Sequence, residues 1–434
     1  MTHATVVTMD PQRQIIPDGA VAIDGGRIVA VATAAEIKGR YRARTTLDAR
    51  GTLLIPGLVN AHTHAPMVLF RGIADDLALM DWLQGTIFPA EKANVTAAFV
   101  KSGTRLAALE MIRSGTTTFA DMYYFEDQVA EAAKEAGLRV VAGETLIEFP
   151  APDNKSIPEA LAYTERFLAR WKDDPLVTAA VAPHSAYLAG PETLRSARDL
   201  ADRFEAPILT HLSESAAEQQ QIRERYGRTP TEHLREVGLL RKGVLGAHGV
   251  WLTASDRSIL KSAGAGVAHC PQSNMKLASG AAPVREMLGE GLALGLGTDG
   301  AASNNDQDMF EEMLSAALLA KQTSGDPTAA PAAAVLEMAT LGGARSLGME
   351  DRIGSIEAGK RADLVVVSLG APRLHPLYDP VSHLVYATKG ADVRDVIIQG
   401  RLVMRHRRVL TLDEPAVLAE AERIKRQVLR SLGR

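Results

Sequence analysis

Cysteine is almost missing. Cys270 stands alone in 434 residues, so no intrachain disulfide framework can form. Long apolar runs are missing as well. The longest are strand-length, far short of the roughly 18 uncharged residues that would suggest a membrane span. There is no excess of positive charge: 48 Lys and Arg against 52 Asp and Glu leave a net charge of −4, which argues against a broad basic face for nucleic acid. Met1-Thr2-His3 runs straight into a short β-like stretch, without the basic start and long apolar region of a secretory signal. No internal repeat or low-complexity tract is present. A soluble, cytoplasmic protein is expected.

What is present is core material and turns, with 46% hydrophobic residues and 36 glycines. The length suits a large barrel with an accessory module. Both ends read as β-structure. Asp24-Gly25-Gly26 between two apolar runs is a hairpin signal, and strands are expected over 362–367 and 393–398 with a turn at Gln399-Gly400. One small β-sandwich domain built from both termini, residues 1–57 and 349–434, is the expected accessory unit. From Pro415 the apolar residues Val417, Ala421, Ile424, Val428 and Leu432 recur at helical spacing, as in a docking helix.

Between them, over 58–348, short apolar strands alternate with helical segments. Strands are expected in the run that ends at His62, and over 115–120, 139–143, 177–182, 207–210, 243–247, 266–268 and 293–297. Eight βα units predict a (β/α)8 TIM-type barrel. An open doubly wound sheet competes, but no Gly-rich dinucleotide fingerprint follows the first strand.

Polar residues fall at one repeated place, just past each strand. The first strand ends in His62 and His64, the fourth in His184, the fifth in His211, the sixth in His248, the seventh in His269, and the eighth in Asp299. Side chains from different strands converge at the C-terminal face of such a barrel. One histidine there would be unremarkable; six with a carboxylate point to a site. His62, His64, His211 and Asp299 would give a divalent metal three nitrogens and an oxygen, a set that suits zinc and also accepts iron or manganese. Water in an open position would then be acidified to a pKa of about 7. Asp299 and His248 would handle and orient the nucleophile, and Glu214, three residues after His211, would shuttle a proton. His269 is equally compatible with outer-shell hydrogen bonding and with strand-end structure. Asn274 and Lys276 are placed to line the mouth of the site, and Cys270 reads as a small buried residue.

Over essentially its whole length the chain resembles the amidohydrolase superfamily. The resemblance rests on Pro56-Gly57-Leu58-Val59-Asn60-Ala61-His62-Thr63-His64, on Gly297-Thr298-Asp299-Gly300, and on the return segment from Gly354 to Leu364. Within it, the chain is similar to 5′-methylthioadenosine/S-adenosylhomocysteine deaminases. The matching segments are His64-Ala65-Pro66-Met67, Phe70-Arg71-Gly72, Asp81-Trp82-Leu83, Phe88-Pro89-Ala90-Glu91 and Gly300-Ala301-Ala302-Ser303-Asn304-Asn305.

The resemblance implies hydrolytic deamination of an adenine nucleoside at C6 by water activated on one divalent metal per chain, zinc first, to the inosine analogue and ammonia. A single metal is implied because Val181-Ala182-Pro183-His184 lacks the bridging lysine of binuclear relatives. It further implies that Glu91 binds ribose hydroxyls, Trp82 covers the purine and His184 contacts the nucleoside. Read on their own, Trp82 could be a core aromatic and Glu91 an ordinary helix-start carboxylate. Relatives are often dimers or tetramers. After the third strand the arginines that some members use for a homocysteine carboxylate have no match. Glu144 and Glu148 stand there, expected to repel such a tail and to favour methylthioadenosine. A triazine-type chloro- or aminohydrolase is the alternative; a non-catalytic structural protein is disfavoured because all four ligand candidates are kept.

Overall fold

The computed structural model describes residues 1–433. Eight parallel strands close into a barrel in chain order: Leu58–Thr63, Thr116–Tyr123, Arg139–Leu146, Val177–Pro183, Ile208–Leu212, Val244–His248, Gly266–His269 and Ala293–Leu296. All the expected strands are there. Helices such as Ala97–Arg113, Glu126–Ala136, Ile157–Trp171 and Pro191–Phe204 pack outside them. A strand covered on both faces must be apolar throughout, which explains the continuous runs in place of alternation. Inside the barrel, Val59, Ala61, Met122, Val141, Ala180, Leu209 and Leu245 form a core with Leu347, Met349 and Ile353.

The apolar run before His62 is two strands rather than one. Thr52–Pro56 belongs to an outer sheet, and the barrel begins at Leu58. The chain crosses at Gly57, where a Cβ would lie 2.0 Å from Thr117 Oγ1, so only glycine lets the strand pass.

That outer sheet has eight strands, in the order Arg408–Val409, Arg401–Arg405, Val393–Ile398, Leu364–Ser368, Thr52–Pro56, Thr2–Val7, Ile15–Asp24 and Arg27–Thr33. Both chain ends build it. The sandwich expected from the termini is thus a single mixed sheet. Backbone hydrogen bonds from Ile28 N to Lys360 O (2.9 Å) and from Ala362 N to Gly26 O (3.0 Å) bring its far hairpin against its middle. The apolar filling is Val6, Ile28, Leu54, Leu364, Val366 and Ile397. The last helix, Glu414–Ser431, buries Ile424 and Val428 as its spacing predicts. Among the described residues no helix is long and apolar enough to cross a membrane.

Sheet and barrel are joined by a buried ion pair. Arg139, opening the third barrel strand, donates to Asp363 Oδ2 from Nε (3.2 Å) and Nη2 (3.0 Å), and both side chains are almost wholly buried. Arg139→Met leaves that carboxylate buried without its partner. The expected cost is about 3–5 kcal/mol, read as a lower urea midpoint.

Candidate active site

His62 and His64 are two residues apart on one strand end, so their side chains leave on one face; the rings lie 4.9 Å apart, centre to centre. His211, near the end of the fifth strand, places Nε2 3.2 Å from His64 Nε2. Asp299, just past the eighth, brings Oδ1 to 3.3 Å from His64 Nε2 and 3.5 Å from His62 Nε2. His248 stands over this group, stacked on His211 at 5.5 Å between ring centres.

The far sides of the rings decide what the near sides can offer. His64 Nδ1 bonds to the Met122 carbonyl at 2.5 Å, and His211 Nδ1 to the His184 carbonyl at 2.8 Å. A carbonyl only accepts, so each Nδ1 carries the proton and each Nε2 presents a lone pair. Two lone pairs therefore face each other at 3.2 Å, beside a carboxylate oxygen and beside a buried His62 Nε2 that has no hydrogen-bond partner. Nothing in the protein satisfies them. A divalent cation does, and the donor set of three imidazoles and one carboxylate fits one. Burial pushes His62 down to about 4 and His211 well below its usual value, keeping both neutral and ready to ligate. Burial works against ionised Asp299, but His62 and the neighbouring imidazoles hold it well below the carboxylate range.

His248 and Asp299 carry left-handed backbone, φ 76° and 62°, at the ends of their strands. Such conformations cost free energy in non-glycine residues and cluster at functional sites. The joint between the eighth strand and the first is equally specific. Thr298 N donates to Asn60 Oδ1 (3.0 Å), Asn60 Nδ2 donates to Thr298 Oγ1 (2.7 Å), and Gln307 Nε2 reaches Asp299 O (3.2 Å). At Gly297 a Cβ would come within 2.8 Å of His62, so the strand ends close on one another only because that side chain is absent.

A cavity opens above this cluster of imidazoles and the carboxylate. His64, His211, Asp299, His248, Glu214, Glu91, His184 and Trp82 line it; His62, Asn274 and Lys276 do not. Glu214 sits 3.8 Å from His248 Nε2. Burial raises Glu214; Glu214 and Asp299 raise His248 against its own burial. His184 is 4.5 Å from His211 between ring centres. Trp82 is buried at the cavity wall with Nε1 unpartnered. Glu91 accepts from the Tyr123 hydroxyl at 2.6 Å, and burial lifts it to about 7.

Several placements were not foreseen. Tyr123, Tyr124, Thr145 and Tyr187 also line the cavity; the second and third strands end in neutral polar groups, which a search for titratable residues passes over. Glu144 and Glu148 do not face it. Glu144 is buried against the Glu126 amide (3.1 Å), and Glu148 accepts from Gly190 N (2.7 Å) and Thr193 Oγ1 (2.6 Å), so neither repels a substrate tail there. Asn274 is fully buried rather than at the mouth, and Lys276 bonds Asp75. His269 is buried with neither nitrogen hydrogen-bonded, held down to about 3 by burial. Burial pushes the Cys270 thiol up, away from nucleophilic use.

A parallel eight-stranded barrel with imidazole and carboxylate donors gathered at its C-terminal rim is the architecture of a metal-dependent hydrolase. The chain belongs to the amidohydrolase family, whose model matches residues 53–403. It is 50% identical over 428 residues (99% of this chain, 98% of the relative) to the 5-methylthioadenosine/S-adenosylhomocysteine deaminase of Syntrophobacter fumaroxidans. It is 47% identical to the protein of that name, numbered 1, from Syntrophus aciditrophicus, covering 99% and 97% of the two chains. Among solved structures, an adenosine deaminase from Xanthomonas campestris with bound zinc superimposes with a TM-score of 0.97 at 41% identity, covering 98% of this chain and 97% of that one. Atrazine chlorohydrolase from Arthrobacter aurescens, complexed with zinc, gives 0.90 at 25% identity, covering 98% and 99%.

His62→Ala removes a donor with no other partner. It is expected to strip divalent metal from the purified protein, seen by elemental analysis, while the circular dichroism spectrum is unchanged.

Proposed function

We propose that this chain hydrolytically deaminates adenine nucleosides, 5′-methylthioadenosine first, with S-adenosylhomocysteine and adenosine as further substrates, giving the inosine analogue and ammonia. The observation that carries the reading is the single cavity wall shared by Glu214, His248 and Asp299, directly over a cluster of unsatisfied lone pairs. The names of the most similar relatives support the nucleoside. Identity to the chlorohydrolase is much lower, and no observation favours triazines.

His62, His64, His211 and Asp299 would hold one divalent cation per chain, zinc by donor type, which when bound supplies an acidified water at neutral pH. The remaining chemistry belongs to the side chains. Glu214, raised by burial, passes one proton of the attacking water to ring N1 and then the second, from the hydroxyl formed at C6, to the departing amine. His248 orients the attacking water from above. Trp82 covers the purine, and His184 touches the nucleoside. Glu91, braced by Tyr123, accepts from the ribose hydroxyls.

Beyond the ribose, no lysine or arginine lines the cavity among the described residues, whereas Leu79, Leu83, Ile87 and Phe88 do. An apolar methylthio group gains from that surface; a zwitterionic homocysteine tail finds no cation for its carboxylate.

Glu214→Gln should lower kcat by about 10²–10⁴-fold and leave metal content intact; retained turnover removes Glu214 from the mechanism. Glu91 yields a pH effect of known sign. Its raised value means the carboxylate gains a proton, and loses an acceptor, as pH falls through about 7. KM for methylthioadenosine should therefore rise below about pH 7, and Glu91→Gln should flatten that dependence in initial-rate assays.

A further inference from the structure

The seventh strand lies between the sixth and the eighth. A turn leaving its end can therefore reach both neighbours, and the helical turn Pro271–Lys276 does so with two consecutive residues. Ser273 Oγ donates to Asp299 Oδ2 at 2.7 Å, nearer than Ser303 Oγ at 3.2 Å. Asn274 Oδ1 lies 2.9 Å from His248 Nδ1. Neither side chain is exposed, and neither lines the cavity.

We propose that Ser273 and Asn274 are positioning residues: Ser273 fixes which carboxylate oxygen Asp299 turns to the imidazoles, and Asn274 fixes which nitrogen His248 turns to the cavity. The proposal rests on the deaminase reading. Asp299 has two oxygens with different tasks. Oδ2 is held by the serine, and Oδ1, which also accepts from Gly300 N at 2.8 Å, faces His62 and His64. Without Ser273 the carboxyl can turn, and Oδ2 competes for the inward place.

His248 has two nitrogens, and Asn274 distinguishes them. With the amide oxygen toward Nδ1, that nitrogen must carry a proton in the neutral ring and in imidazolium alike. Nε2 is then the nitrogen that faces Glu214 and a reacting water, free to accept when the ring is neutral and to donate when it is charged. The opposite amide orientation would donate to Nδ1 and exclude the charged ring. The structure has the accepting orientation, with Asn274 Oδ1 2.9 Å from His248 Nδ1. Mis-set tautomers of this kind cost catalysis rather than binding, since the substrate touches neither residue.

The test uses the metal-loaded enzyme with methylthioadenosine. Asn274→Leu removes the acceptor at similar size, and Asn274→Asp keeps it. The expected result is a kcat about 10–100-fold lower in the Leu variant, with KM, metal content and melting temperature unchanged and the Asp variant close to wild type. Ser273→Ala should lose kcat in the same range, and Ser273→Thr, which restores a hydroxyl, should recover it. Nitrogen-15 spectra of histidine-labelled protein give an arm that needs no substrate: a protonated His248 Nδ1 in wild type and the Asp variant, and its loss in the Leu variant. Equal damage from Asp and Leu, wild-type kcat in the Leu and Ala variants, or an unchanged His248 signal in the Leu variant would overturn the assignment. A wild-type enzyme inert toward every adenine nucleoside would overturn the deaminase reading instead, leaving the spectra to decide the positioning.

Discussion

Between the eighth strand and the first, backbone pairing is reduced to one matched position, Leu296 with Asn60. Past it, Asp299 N donates to His62 O (2.9 Å), and the buried Asn60 side chain accepts from Thr298 N and donates to Thr298 Oγ1. Everything at the site is referred to this seam. His62 and His64 follow Asn60 by two and four residues, and Asp299 follows Thr298 directly. The distance between these imidazole nitrogens and the carboxylate oxygen is thus the distance across the seam. A buried side-chain amide bonded both ways to one residue is directional, and leaving either half unsatisfied costs about 1–3 kcal/mol. Such a joint holds a spacing better than apolar packing, which tolerates sliding.

Desolvation then gives each group its task. The same burial that makes His62 and His211 neutral makes Glu214 and Glu91 reluctant to ionise. Neutral imidazoles are what a cation requires, and carboxyls reluctant to ionise suit reversible proton transfer. Asp299 is the exception, kept anionic by the imidazoles around it.

Much of this was legible in the sequence because a parallel barrel puts strand C-termini on one face. Knowing where each apolar run stops was enough to gather His62, His64, His184, His211, His248 and Asp299. Two kinds of feature were not. Strand parity was one: Thr145 faces the cavity, so its neighbour Glu144 turns outward into the helix layer, and the acidic character after the third strand says nothing about the substrate's tail. Pairing between separate loops was the other. That Tyr123 would brace Glu91, or that Ser273 would reach Asp299, depends on how turns of different strands lean on one another, which no local pattern records. The break at Gly57 lay between, since a glycine interrupts the run, but only Thr117 pressing against it shows why.

The outer sheet has a consequence for synthesis. Pro56 pairs with Leu364, so roughly 300 residues must be made between one strand and its neighbour. At about 5–20 residues per second, the ribosome takes on the order of 15–60 s to cross that interval. During this time the N-terminal strands wait with an open edge, the kind of surface that recruits strands from other nascent chains. The whole barrel emerges meanwhile. For each molecule, then, the strands that carry the site leave the ribosome before the strands that complete the outer sheet do.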